Sequence, residues 1–155
     1  MNVTDTKFMR LAIDAACKAR ENGNHPFGAV LVDAEGNILL TGENTVVTEK
    51  DCTGHAELNL MREASKTYDR EFLAGCTLYA STEPCPMCSG AIFWGNVHRV
   101  VFGLSQAGLY DLIGEGKGDA LHLSCQDLYK KGNKPVEIVG PILEDEARTV
   151  HEGFW

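Results

Sequence analysis

The chain has 155 residues, enough to bury a core of its own, and we expect a single domain over residues 1–155. With 22 acidic and 14 basic residues its net charge is −8, which disfavours nucleic acid as a partner. Residues 1–7 lack a secretion signal, and no apolar run reaches the roughly 18 residues of a membrane span. Six scattered cysteines suit a reducing compartment, so a cytoplasmic location is expected.

The first third of the chain predicts a helix followed by a hairpin. Apolar residues recur every three or four positions over residues 5–21, and Asn22-Gly23 ends that amphipathic helix. Two apolar runs, residues 27–32 and 38–40, flank turn-forming residues and predict two strands of a hairpin. The polar residues from there to Thr53 predict a loop.

The middle of the chain predicts alternating helices and strands. Residues 55–65 and 87–94 have helical patterns, and Pro86 suits the first turn of the second. Residues 76–81 and 97–102 read as strands.

The last third is less regular. Five glycines interrupt residues 103–118, so residues 104–118 are predicted as mostly loop, and residues 119–131 give no clear pattern. A short strand over residues 136–139 and a helix over residues 143–152 complete the chain. The fold class predicted is α/β, a three-layer α/β/α sandwich whose central mixed sheet has about five strands.

Two short motifs supply the groups of a catalytic zinc site. Gly54-His55-Ala56-Glu57 provides an imidazole and a carboxylate, and residues 82–88 (TEPCPMC) provide the thiols of Cys85 and Cys88. The imidazole and the two thiols are three zinc ligands, which leave the fourth zinc position for water. Because residues i and i+2 of a helix point about 200° apart, Glu57 can face a metal bound by His55 only if His55 starts the helix and the metal lies beyond its end.

Two other interpretations of these residues stay open. Cys52 precedes His55 by three positions, so Cys52, His55, Cys85 and Cys88 could form a closed Cys₃His structural zinc module without catalysis. Cys85 and Cys88 alone have the spacing of a redox pair, although that interpretation ignores His55. The closed module also leaves Glu57 without a role.

At these motifs the chain resembles the cytidine deaminase-like superfamily, in the branch of guanine, cytosine and tRNA adenosine deaminases. The resemblance covers residues 8–102 and is closest to bacterial guanine deaminases, on account of Pro-Phe-Gly-Ala around Phe27 and Gly-Ala-Ile-Phe-Trp after the cysteines. It implies one Zn²⁺ per chain bound by His55, Cys85 and Cys88, with Glu57 moving protons. It also implies a homodimer, in some relatives with exchanged C-terminal segments.

The resemblance also assigns substrate contacts. It implies that Asn44 hydrogen-bonds the base, that Phe27 borders it, and that the backbone of Ala56 and Glu83 contacts the reacting groups. Beyond Gly103 the match is weaker, and Asp111, Glu115 and Glu144 are the candidates for an acidic contact. Phe154 and Trp155 resemble aromatic residues that close the site in relatives. The remaining histidines, at positions 25, 98, 122 and 151, are expected to be structural.

The predicted function is zinc-dependent hydrolytic deamination of a free nucleobase, with guanine to xanthine and ammonia as the leading reaction. Cytosine, an aminotriazine or a nucleoside is the alternative small-molecule substrate. Deamination of tRNA adenosine ranks lower because of the negative charge.

Overall fold

The computed structural model describes residues 2–155, which form one five-stranded sheet with helices on both faces. The strands are β1 (Gly28–Val32), β2 (Ile38–Glu43), β3 (Thr77–Thr82), β4 (Arg99–Leu104) and β5 (Glu137–Val139). The helices are α1 (Val3–Glu21), α2 (Val46–Glu49), α3 (Ala56–Thr67), α4 (Arg70–Ala74), α5 (Pro86–Trp94), α6 (Gln106–Ile113), α7 (Cys125–Tyr129) and α8 (Glu144–Thr149).

The sheet is mixed and has the strand order β2-β1-β3-β4-β5. Strand β1 pairs antiparallel with β2 and β3, whereas β3, β4 and β5 are parallel to one another. Every residue of β1 is buried, which explains its unbroken apolar sequence. Because β3 and β4 are parallel, their carboxyl ends lie at the same edge of the sheet, where ligand sites of α/β folds form.

Helices cover both faces, so the predicted three-layer α/β/α sandwich is confirmed. On one face, Phe8 and Met9 of α1 and Ala147 of α8 pack against Val30 and Val101. The core of the other face joins α3, α5 and α7 to the sheet. None of the helices within residues 2–155 has the length and apolarity needed to cross a membrane.

Gly42 in β2 brings the start of α3 directly onto the sheet. A Cβ atom at Gly42 would lie 2.3 Å from the carbonyl oxygen of Ala56, a distance that no side chain tolerates. Since Ala56 is the first residue of α3, this close approach fixes the position of His55 immediately before it. Glycine is required here for space, at an interior strand position that otherwise disfavours it.

The prediction that residues 104–118 are mostly loop is wrong for residues 106–113, which form α6. The Ser105 hydroxyl accepts a hydrogen bond from the Gly108 N–H and caps this helix. Gly108 lies within this helix, and a Cβ there would lie 2.8 Å from Leu104 Cδ1, so the glycine allows close packing against Leu104. The undecided residues 119–131 contain α7, which is capped in the same way by Ser124.

Smaller differences concern the ends of elements. The predicted loop before His55 contains the short helix α2, and α4 was not predicted. Strand β4 begins at Arg99 rather than Val97, and α8 ends at Thr149, followed by turns to the C-terminus. These shifts leave the position of both motifs unchanged.

Candidate metal centre and active site

The two motifs lie at the N-terminal ends of adjacent helices. His55 has extended backbone angles and immediately precedes α3, which confirms the predicted start of that helix. Cys85 precedes α5 in the same way, Pro86 occupies the first helical position, and Cys88 lies in the first turn. The unpaired N–H groups and positive dipole of these helix ends stabilise thiolate sulfur.

His55, Cys85 and Cys88 meet closely enough to hold one zinc ion. The His55 Nδ1 atom lies 3.5 Å from Cys85 Sγ and 3.4 Å from Cys88 Sγ. Tetrahedral zinc, with Zn–S bonds of about 2.3 Å and a Zn–N bond of about 2.0–2.1 Å, separates nitrogen from sulfur by about 3.6 Å. One donor atom from each residue lies within 4.8 Å of the other two. The donor set therefore fits zinc.

Cys52 does not join this cluster. Its side chain is exposed, and the group of metal-ligating side chains found within residues 2–155 consists of His55, Cys85 and Cys88. The closed Cys₃His arrangement is therefore not formed in this structure. Cys85 and Cys88 are free thiols that both contact His55, so they do not act as an isolated pair.

The three side chains of the cluster shift one another's pKa values. A hydrogen bond from the Cys88 thiol, aided by His55, lowers the pKa of Cys85 to about 4 despite its burial. The same hydrogen bond and burial raise the pKa of Cys88 well above its usual value. The contact with Cys85 also raises the pKa of His55. Metal binding must then displace protons from Cys88 and His55, so zinc affinity rises with pH.

Glu57 lies beside the cluster at the second position of α3, and its side chain is 7% exposed. Burial, reinforced by the negative charge of Cys85, raises the pKa of Glu57 to about 7. A carboxyl group with this pKa can accept and return protons near neutral pH.

One cavity of about 430 Å³ contains the motif residues and a wall from the second half of the chain. His55, Glu57 and Cys85 line one side of it, and Leu109, Tyr110 and Ile113 of α6 line another. A larger groove, about 630 Å³, runs along α1 and β2, but none of the cluster residues reaches it. We assign the site to the smaller cavity because it holds the ionisable groups.

The C-terminal residues close one side of this cavity. Trp155 lines it together with Phe27, and the centroids of the two rings lie 6.2 Å apart. Phe154 does not reach the lining but packs against His25 and under the Arg20 guanidinium. The two predicted aromatic residues therefore differ: Trp155 faces the cavity and Phe154 holds the segment from behind.

Asn44 and Ala56 lie next to the site without forming its wall. Asn44 is buried, and its N–H donates to the Phe27 carbonyl while its Oδ1 accepts from the Val46 N–H. Ala56 opens α3, so its N–H has no partner within the helix.

Glu83 lines the cavity, but its carboxylate has a role that the sequence did not reveal. Its Oε1 accepts from the Gln106 N–H and its Oε2 from the Cys125 N–H, each at 2.9 Å. These are the first residues of α6 and α7. One side chain therefore caps two helices and attaches the wall of the cavity to the metal-binding loop.

None of the three candidates for the acidic contact beyond Gly103 lines the site cavity. Asp111 is exposed and, like Glu115, lines an adjoining cavity that shares Tyr110 and Asp119 with it. Glu144 accepts from the Ser105 N–H at the start of α6. Asp119 is the acidic residue of this region that lines the site cavity. The glycine-rich segment carries no periodicity from which this choice could be made.

Other lining residues were also missed by the sequence patterns. Thr82 ends β3 with its hydroxyl buried and unpaired within residues 2–155, and Tyr110 and Lys117 come from the region predicted as loop. His25 was expected to be structural, yet it also lines the cavity. Its position directly before the Pro-Phe-Gly-Ala motif is the sequence feature that could have indicated that His25 lies at the site.

The fold and the His-Cys-Cys cluster define a zinc deaminase. Residues 2–104 match the family described as the cytidine and deoxycytidylate deaminase zinc-binding region, and the chain belongs to that family. The family supports a hydrolytic deaminase with one zinc site per chain.

Individual relatives differ in substrate. A probable cytosine deaminase of Schizosaccharomyces pombe is 43% identical over 152 residues, covering 97% of this chain and 92% of its own. The guanine deaminase of Bacillus subtilis is 37% identical over 131 residues, covering 84% and 78%. A solved structure from studies of tRNA:A34 deaminases has a TM-score of 0.74 at 30% identity, covering 94% of this chain and 99% of that one.

Proposed function

We propose that the chain hydrolyses the exocyclic amine of a free nucleobase, with guanine to xanthine and ammonia as the leading reaction. One observation carries the proposal: the Glu57 carboxyl and two members of the metal-ligand cluster, His55 and Cys85, line the same cavity. A zinc ion with a purely structural role does not require an ionisable carboxyl group beside it.

The chain's own groups account for the proton transfers. Zinc held by the cluster supplies a Lewis acid that favours ionisation of water near neutral pH. Glu57 takes a proton from the water whose oxygen bonds to the ring carbon that bears the amine. The carboxyl group then protonates the ring nitrogen. The second water proton passes to the amine as its C–N bond breaks, so the products are the oxo base and ammonia.

The shape of the cavity supports a free base as the substrate. Its volume of about 430 Å³ is at the small end of ligand sites, and the Phe27 and Trp155 rings offer flat apolar surface to a planar heterocycle. Asp119 supplies an acceptor for a ring N–H such as those of guanine. Guanine is therefore the proposed substrate.

Cytosine is the second candidate because the S. pombe relative matches nearly the whole chain with 43% identity. Transfer RNA is disfavoured by the net charge of −8 and by the cavity itself, where Lys117 is the one basic residue besides histidine among the described lining residues. A tRNA deaminase needs a basic path for phosphates.

A homodimer is also part of the proposal. Trp94 is 75% exposed and Met87 is 38% exposed, both on α5, and the adjacent hollow is lined by Leu58, Met61 and Ala91. A second copy would cover this apolar face. Exchange of C-terminal segments is not required, since Trp155 reaches the cavity of its own chain. Sedimentation of Trp94→Glu should show a shift towards monomer; an unchanged sedimentation coefficient would reject this interface.

A panel of substrates tests the proposed reaction. Ammonia release from guanine, cytosine, guanosine, cytidine, adenine and an aminotriazine is measured with zinc-loaded protein, and the product is identified by mass spectrometry. We expect the largest kcat/KM for guanine and no release by Cys85→Ser. A preference for cytosine would select the second candidate, and no release from any compound would reject deamination of small heterocycles.

A further inference from the structure

His25 belongs to a connection whose backbone is firmly held. The connection joins α1 to β1, and the Phe27 N–H donates to the His25 carbonyl at 2.8 Å. The preceding Asn24 is buried, and its Oδ1 accepts from the N–H groups of Val47 and Thr48 at 3.1 and 3.0 Å. His25 therefore extends from a fixed backbone into the cavity that also contains His55 and Glu57.

Aromatic rings hold the His25 imidazole from several sides. Its ring centroid lies 6.5 Å from that of Phe27, 5.8 Å from Phe154 and 5.7 Å from Trp155. The contacts with Phe27 and Phe154 are edge-on, with interplanar angles of 76° and 73°. These apolar contacts fix the ring plane without using its nitrogen atoms.

The ring nitrogens of His25 are free for a ligand. Within residues 2–155 they form no hydrogen bond, and neither is sealed from solvent. By contrast, the ring of His98 bonds Asn96 and that of His151 bonds Trp155. The His25 ring is half-buried and held in one orientation on the cavity wall, so its nitrogens are suited to hydrogen-bond polar atoms of a bound ligand.

We infer that His25 is a specificity-determining residue, one of whose ring nitrogens hydrogen-bonds the bound base. This inference rests on the proposed function. Burial lowers the pKa of His25, so the ring is neutral near pH 7 and offers one donor and one acceptor. The two nitrogens point away from each other, so one of them contacts the base, either donating to a carbonyl oxygen or accepting from a ring N–H. In guanine a ring N–H is adjacent to the amine-bearing carbon, whereas in cytosine it lies across the ring from that carbon, so a histidine fixed in place does not bond both bases equally well.

The test compares substrate preference in His25→Phe with the same change at His98. His25→Phe keeps an aromatic ring in the cluster but removes both nitrogens, and His98→Phe makes the same change at a histidine that is not part of the cavity lining. For each zinc-loaded protein, kcat/KM is measured for guanine and cytosine. Binding of both bases to the Glu57→Gln protein, with and without His25→Phe, is measured by calorimetry.

We expect His25→Phe to change the guanine-to-cytosine ratio of kcat/KM about tenfold, chiefly through KM, and to weaken binding of the preferred base equally. His98→Phe should leave the ratio unchanged. An unchanged ratio in active His25→Phe overturns the inference and leaves the proposed function intact. If wild-type protein neither binds nor deaminates any base, both are overturned. If His25→Phe does not fold, His25→Asn replaces it in the test. Asparagine keeps a donor and an acceptor, so this variant must retain the wild-type guanine-to-cytosine ratio. A changed ratio overturns the inference.

Discussion

Trp155 donates its indole N–H to the Nδ1 atom of His151 at 2.9 Å, and the two rings are nearly parallel. Because Nδ1 accepts, the neutral His151 ring carries its proton on Nε2. That atom is buried and without an acceptor within residues 2–155. The last side chain of the chain is thus anchored one turn back, with its other face towards the site cavity.

Truncation after Gly153 should weaken substrate binding. The change removes Trp155 from the cavity wall and Phe154 from behind it, but touches no metal ligand. We expect KM to rise about tenfold, as for the loss of one aromatic contact of about 1.4 kcal/mol, with zinc content unchanged. Steady-state kinetics and metal analysis measure both quantities. Phe72→Leu, at an exposed aromatic residue away from the cavity, is the control, and an unchanged KM after truncation would show that the segment does not contact the substrate.

His151 should make the protein less stable in acid. Burial lowers the pKa of His151 to about 4, whereas the unfolded value is near 6.5. The unfolded chain therefore binds the extra proton between these values. Stability from the neutral ring is complete above about pH 6.5 and is lost as the pH falls towards 4. The expected loss between pH 7 and 4.5 is on the order of 2 kcal/mol.

Urea unfolding of wild type and His151→Gln at pH 7 and 4.5 measures this contribution. The glutamine variant should lose less stability on acidification than wild type by that amount. Equal pH dependence of the two proteins would mean that His151 is not the titrating group.

Glu83→Ala should destabilise the wall of the cavity. Two backbone N–H groups at helix starts would lose a charged acceptor, and such bonds contribute about 1.5–3 kcal/mol each. We expect a loss of about 3 kcal/mol in the free energy of unfolding. Chemical denaturation measures it, with exposed Glu115→Ala as the control, which should change stability by less than about 0.5 kcal/mol. Equal effects of the two substitutions would contradict the capping role.

Cysteine substitutions separate the open zinc cluster from the closed alternative. Cys88→Ser removes a buried ligand and should weaken zinc binding more than about 100-fold, whereas Cys52→Ser changes an exposed thiol and should retain one zinc per chain. Zinc per chain after dialysis against a chelator is the measurement. Loss of zinc from Cys52→Ser would instead indicate a closed Cys₃His site.

The parts of the fold that could be predicted are those with strong local patterns. The two motifs predict their own local structure. The proline after Cys85 and the helical spacing of apolar residues after His55 indicate that His55 and Cys85 each lie at the start of a helix. The centre of the sheet follows from short apolar runs because β1, β3 and β4 are almost entirely buried. These patterns predict that His55, Cys85 and Cys88 lie together, and the structure groups the same three side chains.

The parts that could not be predicted depend on contacts between distant residues. Gly108 disrupts the helical pattern of α6, yet the structure uses it for close contact with Leu104. The Glu83 carboxylate joins residues that are 23 and 42 positions away, which no periodicity encodes. For the same reason, the choice of Asp119 over Asp111 at the cavity required the path of the glycine-rich segment.

Activity and zinc content of Glu57→Gln, measured on one sample, test the proposed mechanism most directly. The amide keeps the shape of the side chain but cannot carry the proton. We predict one zinc per chain, as in wild type, and a kcat for guanine or cytosine reduced by about 10²–10⁴-fold. A kcat within tenfold of wild type, with zinc bound, would contradict the role of Glu57 in proton transfer.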